Sequence, residues 1–287
     1  MAIIRVEKYL DFLSDDNEII YIPYKCIITH LPDLSRFKKL NILNCSNNQI
    51  TYIPSLKMLT ELEMLDCSEN QLNYLPELPE NLKHLECYTN NISSLPTLPK
   101  NLLFLDCFHN QLSYLPDLPV SLKNLICGLN LLDNLPVLPE NLEQLSCYDN
   151  YLKCLPVLPE NLHTLLCYHN NLTYLPILPE NLKTFNCMYN QLLYLPVFPK
   201  SLTNFRYDNN DIYEIINSYD LIVINQKILI LNNFRHLYYS LKFKNQFREL
   251  LWKKIREPRI IKQYHPDNLE KILSEEDGDL DTVLKDW

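Results

Sequence analysis

The stretch Leu82–Pro99, LKHLECYTNNISSLPTLP, decides the fold because it returns almost unchanged as LLFLDCFHNQLSYLPDLP between Leu102 and Pro119. The shared unit reads L-x-x-L-x-C-x-x-N-x-L-x-x-L-P-x-L-P. Its asparagine recurs nine times in register, first at a spacing of 22 residues and then of 20: Asn48, Asn70, Asn90, Asn110, Asn130, Asn150, Asn170, Asn190 and Asn210. Self-similarity at a fixed short period is typical of solenoids, in which each coil rests on its neighbours.

The spacing within the unit predicts the shape of each coil. Leu85 and Cys87 are two residues apart, so both point into the core from one short strand. Asn90 follows the strand, where its amide can satisfy turn backbone groups and form a ladder along the solenoid. The L-P-x-L-P run excludes a helix, because proline lacks an N–H and restricts the residue before it. The predicted fold is a β-rich repeat solenoid with parallel strands on the concave face, an extended, polyproline-like convex side and helical terminal caps.

Two families resemble this pattern. The unit matches the leucine-rich repeat with cysteine at the third leucine position, and the 20-residue Leu-Pro-x-Leu-Pro form resembles repeats of bacterial effector proteins secreted into host cells. The aromatic residue after the cysteine column, the Asn- and Ile-rich composition and the run Leu251–Pro258, LWKKIREP, resemble leucine-rich-repeat proteins of mimivirus-type giant DNA viruses. The resemblance implies a scaffold without catalytic residues, an unassigned partner, and a location in the virion or an infected amoeba.

The period divides the chain into three parts. Residues 1–35 are predicted as an N-terminal cap, with a partial repeat between Ile20 and Pro32 that has Cys26 at the asparagine position. Residues 36–215 form a solenoid of about nine repeats, whose strands at roughly 4.8 Å spacing would extend about 40 Å. Residues 216–287 are predicted as a C-terminal cap, helical and ending in an acidic tail from Ser274.

Composition excludes several classes of function. The net charge of −9 argues against wholesale binding to nucleic acid or anionic membranes. Two glycines in 287 residues cannot build the glycine-rich phosphate loops of NTPases or dinucleotide enzymes. Charges near the N-terminus interrupt any signal peptide, and no long apolar window predicts a membrane helix. We expect no cofactor and a cytoplasmic location, in the host cell or the virion if the chain is viral.

Most cysteines are predicted to be core residues. Eight of the ten fall in one repeat column, where a free thiol packs as a small apolar group: Cys45, Cys67, Cys87, Cys107, Cys127, Cys147, Cys167 and Cys187. A line of equivalent thiols lacks the four convergent ligands of zinc, so no metal site is expected. Cys26 and Cys154 lie outside the column and are the only candidates for reactivity, although packing is the favoured interpretation. The histidines, scattered over different coils, are predicted as ordinary surface residues.

The predicted concave face carries two ladders of side chains. Positions before each cysteine are acidic in the early coils, and positions after it are aromatic in the middle and later coils. The candidate partner-binding residues are Asp66, Glu86, Tyr88, Asp106, Phe108, Ile126, Tyr148, Leu166, Tyr168 and Met188. Aromatic side chains on a rigid face bring large contact area at small entropy cost, which favours protein binding. The alternative is that the rings stack on each other and shield the sheet without a partner.

Three functions are consistent with this organisation. The favoured one is a non-catalytic protein-interaction scaffold, without catalytic residues. Some effectors with the same repeat carry a cysteine-dependent ubiquitin ligase, but here the last cysteine, Cys187, lies in the solenoid core. The first alternative is a substrate adapter that recruits other machinery through C-terminal helices between Phe234 and Pro258. The second is nucleic-acid binding by residues 221–262, which contain ten lysines and arginines and only two glutamates, although no recognised nucleic-acid motif accompanies them.

Overall fold

The structure, a computed structural model, describes residues 6–23 and 28–244, with residues 248–249, 252–253 and 257–259. It divides into two compact units, Met1–Ile228 and Leu229–Trp287. The first unit contains one parallel sheet whose strands pair in chain order. They are β1 (Ile19–Tyr21), β2 (Ile42–Asn44), β3 (Met64–Asp66), β4 (His84–Glu86), β5 (Phe104–Asp106), β6 (Asn124–Ile126), β7 (Gln144–Ser146), β8 (Thr164–Leu166), β9 (Thr184–Asn186) and β10 (Asn204–Arg206). The predicted solenoid is confirmed.

Every strand is three residues long and in register with its neighbours. Leu85 in the middle of β4 pairs with Leu65 on one side and Leu105 on the other. From β2 to β9 this middle residue is buried, as is the cysteine two positions later. The core therefore consists of stacked columns, each filled by one position of the repeat, because the repeat length and the strand register coincide.

A strained turn follows nearly every strand. The residue before each repeat asparagine has a left-handed backbone with φ between 51° and 55°, and none of these residues is glycine: Asn47, Glu69, Thr89, His109, Leu129, Asp149, His169, Tyr189 and Asn209. This conformation costs an L-residue about 1–2 kcal/mol. The asparagine that follows offsets the cost. Asn90 donates from Nδ2 to the carbonyls of Cys67 and Cys87, each at 3.1 Å, and accepts the N–H of Leu72 at 2.9 Å.

The return half of each coil is extended, as predicted. The Leu-Pro-x-Leu-Pro runs contain no helix, and their leucines close the core from the side opposite the strands. Prolines thus replace the helix that longer repeats carry on this side.

The first coil differs from the others. Helix α1 (Val6–Asp11) buries Val6 and Leu10, and Arg36 holds it by donating to the carbonyl of Leu10 at 2.5 Å. Strand β1 then pairs with β2, so the sheet begins within the segment predicted as a cap and has ten strands where nine asparagine repeats were counted. The extra strand lies at the start of the partial repeat predicted between Ile20 and Pro32, which was not counted because it has no asparagine in register. Cys26 and the other residues of 24–27 lie outside the described residues.

Aromatic and helical residues close the other end. Tyr207 takes the cysteine position of β10 and is fully buried, with its hydroxyl bonded to the carbonyl and the N–H of Ser218. Helices α2 (Tyr213–Ile216) and α3 (Leu221–Lys242) follow, which confirms helices at the C-terminal end. Asn225 on α3 makes a reciprocal pair with the backbone of Phe198, donating at 2.9 Å and accepting at 2.8 Å. The acidic tail lies outside the described residues.

Within the described part of the chain, no helix combines the length and the apolar character needed to cross a membrane.

Candidate functional site

Three columns of side chains point away from the core on the strand side, and we call them together the strand face. They are the first and third residues of each strand and the residue after each cysteine. The first column contains Met64, His84, Phe104, Asn124, Gln144, Thr164 and Thr184. The second contains Asp66, Glu86, Asp106, Ile126, Ser146, Leu166 and Asn186. The third contains Ser68, Tyr88, Phe108, Gly128, Tyr148, Tyr168 and Met188. Sequence reasoning missed the first column, although strand alternation places it on the same face.

The acidic ladder is continuous but not uniformly accessible. Asp66, Glu86 and Asp106 are direct neighbours in the register of β3, β4 and β5. Asp66 is only 8% exposed. Its carboxylate accepts hydrogen bonds from Ser68 Oγ at 2.6 Å and from Asn44 Nδ2 at 2.7 Å. Asp66 was predicted to face a partner, but its carboxylate is largely engaged within the sheet and offers a partner little surface.

Glu86 and Asp106 are half-buried and more available. Glu86 Oε1 lies 2.8 Å from Nε2 of His84, whose ring stacks on Phe104 with centroids 4.1 Å apart. Asp106 accepts the N–H of Phe108 at 3.0 Å. Burial raises the pKa of Asp106 to about 6, with the N–H of Phe108 opposing the rise and the charge of Glu86 adding to it. Among the described residues, no lysine or arginine forms an ion pair with any of the three carboxylates of the ladder.

The aromatic ladder forms a packed cluster around a glycine. Tyr148 stacks on Tyr168 with ring centroids 4.5 Å apart, and it reaches Phe108 at 5.7 Å across the intervening coil. This contact depends on Gly128, since a Cβ there would lie 3.1 Å from two ring atoms of Tyr148. Burial raises the pKa of Tyr168 to about 12 and that of Tyr148 in the same direction. The Phe108, Tyr148 and Tyr168 rings, here called the aromatic cluster, are half-buried and keep part of their surface open to solvent.

The aromatic surface continues onto the turns. His169 stacks on Tyr189 with centroids 4.2 Å apart and contacts Tyr168 edge-on at 5.8 Å. His109 contacts Phe108 at 5.9 Å. These histidines were predicted as ordinary surface residues, and the structure places them against the aromatic cluster. The remaining candidates, Tyr88, Ile126, Leu166 and Met188, are half-buried on the same face.

The cysteine column packs inside the core. All eight thiols are buried, and burial raises the pKa of every one of them, so they stay protonated and unreactive. Over the described residues, no group of three or more histidine, cysteine or acidic side chains has an arrangement that could hold a metal ion. Cys154 is half-buried, and its thiol beside the hydroxyl of Tyr174 raises the pKa of that tyrosine.

A second apolar feature lies on the return side, which sequence reasoning did not consider. The variable position of the Leu-Pro-x-Leu-Pro run holds Val137, Val157 and Ile177 in three consecutive coils, and these side chains are 86–87% exposed. We call them the return stripe. The signal was present in the sequence, because the same position is Glu77, Thr97 and Asp117 in the preceding coils.

One parallel strand per coil, a buried asparagine ladder and stacked leucine and cysteine columns define the leucine-rich-repeat fold. Residues 38–80 match the family described as Leucine Rich repeats (2 copies). Among solved structures, YopM from Yersinia enterocolitica WA-314 is 35% identical, with a TM-score of 0.59, and the match covers 64% of this chain and 45% of that one. YopM from Yersinia pestis, described as a leucine-rich effector protein, is 30% identical over 64% of each chain, with a TM-score of 0.48.

A third similar structure is the functional domain of InlJ from Listeria monocytogenes, which is described as including a cysteine ladder. It is 24% identical, with a TM-score of 0.50, over 63% of this chain and 49% of that chain. A search of curated proteins gave no match. The chain therefore has the leucine-rich-repeat fold and is similar to bacterial effector proteins with that fold, while it spans less than half the length of the Yersinia enterocolitica protein. The resemblance to giant-virus proteins stays a prediction.

Proposed function

We propose that this chain is a non-catalytic interaction scaffold that binds a protein partner on its strand face. Leucine-rich-repeat proteins commonly bind other proteins, and the observation that supports a site on this face is the aromatic cluster. Phe108, Tyr148 and Tyr168 form one partly exposed apolar surface, which Ile126 and Leu166 extend in the neighbouring column. Large aromatic side chains held in one place are the residue type that dominates binding energy in protein interfaces.

The stacking that shields these rings also favours binding. A side chain that is already immobilised loses little rotamer entropy when a partner arrives, whereas a mobile one loses about 0.5–1.5 kcal/mol. The cluster is fixed twice, by ring contacts within it and by a sheet whose turns are fastened by the asparagine ladder. The two interpretations of the aromatic ladder are thus compatible, since a self-packed cluster is also a preorganised contact surface.

The test compares two triple variants of the full chain. One removes the aromatic cluster through Phe108→Ala, Tyr148→Ala and Tyr168→Ala. The control removes a matched apolar surface through Val137→Ser, Val157→Ser and Ile177→Ser on the return stripe. Both are checked for folding by circular dichroism and thermal unfolding. Each variant and the unchanged chain are then used to capture proteins from amoebal and human cell lysates, and captured proteins are identified by mass spectrometry and titrated individually.

We expect a partner that binds the unchanged chain and the control with similar Kd, and the cluster variant at least thirtyfold more weakly, or about 2 kcal/mol. Equal binding to all three would refute a site on the strand face. A partner lost only by the control variant would place the interface on the return stripe instead.

The partner is further proposed to be a host-cell protein. This proposal is supported by the similarity to YopM, which is described as an effector protein, and by the sequence resemblance to giant-virus proteins. It includes a location in host cytoplasm or in a virion. Fractionation of infected cells with an antibody against the chain tests the location, and a signal confined to the culture medium would contradict it.

A second candidate function is that of an adapter. On α3, Ile230, Phe234 and Leu237 recur at helical spacing and are 54%, 67% and 56% exposed. An exposed apolar face on a helix is a common site for a second partner. A Phe234→Ala, Leu237→Ala variant should lose that second partner and retain the one bound by the aromatic cluster. Loss of both partners, or of neither, would contradict the adapter function.

A further inference from the structure

The strand face changes character along the solenoid. Over β3 to β5 its second column is acidic, with Asp66, Glu86 and Asp106 in consecutive coils. Over β6 to β9 the second column contains the apolar Ile126 and Leu166, and the third contains Tyr148, Tyr168 and Met188. The second column is therefore acidic in the coils of β3 to β5 and partly apolar in those of β6 to β9, while the aromatic residues of the third column begin at Tyr88 and Phe108 and continue to Tyr168.

The acidic end has uncompensated negative charge. Like charges directly opposite each other on neighbouring strands are destabilising, and neither Glu86 nor Asp106 forms an ion pair with a lysine or arginine of the described residues. Among the described residues, the side chain that pairs with Glu86 is His84, whose Nε2 lies 2.8 Å from Oε1. Partial burial of Asp106 strengthens its field, because fewer water molecules screen it. A partner's cation would therefore gain attraction and relieve repulsion within the sheet.

The far end of the sheet carries a paired charge. On β10, Arg206 is exposed and pairs with Asp208 at 3.1 Å, so no free acidic ladder continues there. The distance from the coil of Asp66 to that of Met188 is six strand spacings, or roughly 29 Å at about 4.8 Å per spacing. An extended segment of about nine residues covers that length.

We infer that the strand face binds a segment of a partner protein whose lysine or arginine side chains lie over β3–β5 and whose apolar or aromatic side chains lie over β6–β9. This inference rests on the proposed function and adds the chemistry and direction of the partner. Charge complementarity sets the direction, because the aromatic cluster alone would accept an apolar segment in either orientation.

The probe is a phage-displayed library of random 12-residue peptides, selected on the immobilised full chain at low salt. Enriched peptides are synthesised with a fluorescent label and titrated by anisotropy. They are compared on the unchanged chain, on the aromatic-cluster variant and on a Glu86→Gln, Asp106→Asn variant. A charge-matched control, Glu140→Gln with Glu160→Gln, removes two exposed carboxylates from the return side.

We expect enriched peptides with lysine or arginine in one half and apolar residues in the other. The Glu86→Gln, Asp106→Asn variant should bind them at least tenfold more weakly at low salt, with a smaller difference at high salt, while the control binds normally. If enriched peptides depend on the aromatic cluster but carry no positive charge, or ignore the two carboxylates, the inference is wrong and the proposed function stands. If no enriched peptide depends on the aromatic cluster, both are wrong.

Discussion

Removing one amide from the middle of the asparagine ladder should destabilise the solenoid far more than removing its sequence neighbour. Asn90 Nδ2 donates to the carbonyls of Cys67, Cys87 and Tyr88, and its Oδ1 accepts the N–H of Leu72. In Asn90→Ala, the Leu72 N–H is left buried without this acceptor. The two cysteine carbonyls keep one amide each, because Asn70 also donates to Cys67 and Asn110 to Cys87.

The expected cost follows from that inventory. One unpaired buried N–H costs about 1–3 kcal/mol, and a lost hydrogen bond whose acceptor keeps another partner costs about 0.5–1.5 kcal/mol. One unpaired N–H and three such bonds sum to about 2.5–7.5 kcal/mol, so Asn90→Ala should cost at least about 2.5 kcal/mol. The neighbouring Asn91 is exposed, so Asn91→Ala should stay within about 0.5 kcal/mol of the unchanged chain.

Urea unfolding followed by circular dichroism measures the difference between the two variants, and amide hydrogen exchange locates it. The Leu72 amide should exchange faster in Asn90→Ala, because its acceptor is gone, and it should stay protected in Asn91→Ala. If the two variants unfold at the same urea concentration, the ladder is not what fastens the coils and the reasoning fails.

Three further predictions concern single positions. The folded-state pKa of Asp106 is raised to about 6, so the stability penalty of its ionised form is absent well below pH 4 and complete above pH 7. Asp106→Asn should therefore raise the free energy of unfolding at pH 8 by about 1 kcal/mol after solvent screening, seen as a higher Tm. If the difference between variant and unchanged chain is the same at pH 5 and pH 8, this prediction is wrong. Gly128→Ala should push the Tyr148 ring off Phe108 and cost about 1 kcal/mol. The cost should be smaller in a Tyr148→Ala background, where only the approach to the carbonyl of residue 148 at 3.1 Å remains. Near-UV circular dichroism reports the ring, and equal costs in both backgrounds would refute the contact. Thr89→Asn should stabilise the chain by about 1 kcal/mol, because a β-branched residue occupies a left-handed turn there, while the reverse change Asn209→Thr should destabilise it in thermal unfolding.

The interior of the solenoid could be predicted from spacing because each column is filled by one repeat position. Once Leu85 and Cys87 are placed on one side of a strand, the alternation of the strand and the 20-residue register place every equivalent side chain. The same argument puts Asn90 in the turn after the strand. The two ends of the sheet could not be placed by this argument. Strand β1 has no repeat asparagine, and at β10 the cysteine position holds Tyr207, whose hydroxyl bonds to Ser218.

The strand face could be predicted only as a set of positions. The Asp66 carboxylate is engaged within the sheet because it accepts hydrogen bonds from the Asn44 amide, one coil earlier, and from the Ser68 hydroxyl in its own coil. That Tyr148 crosses a coil to Phe108 depends on the missing side chain of Gly128. Neither contact can be predicted from the repeat period, because each depends on a residue that departs from the repeat and on distances between neighbouring coils.

The division between periodic interior and variable face has a consequence for function. Interior columns tolerate little change, since a single lost amide costs at least about 2.5 kcal/mol by the inventory above, whereas surface substitutions usually stay within about 0.5 kcal/mol. The half-buried positions of the columns that begin at Met64, Asp66 and Ser68 can therefore vary from coil to coil with less effect on the fold than the interior columns. On the strand face, the acidic run and the aromatic cluster both depart from the repeat. Such departures are where a binding function is expected to be encoded.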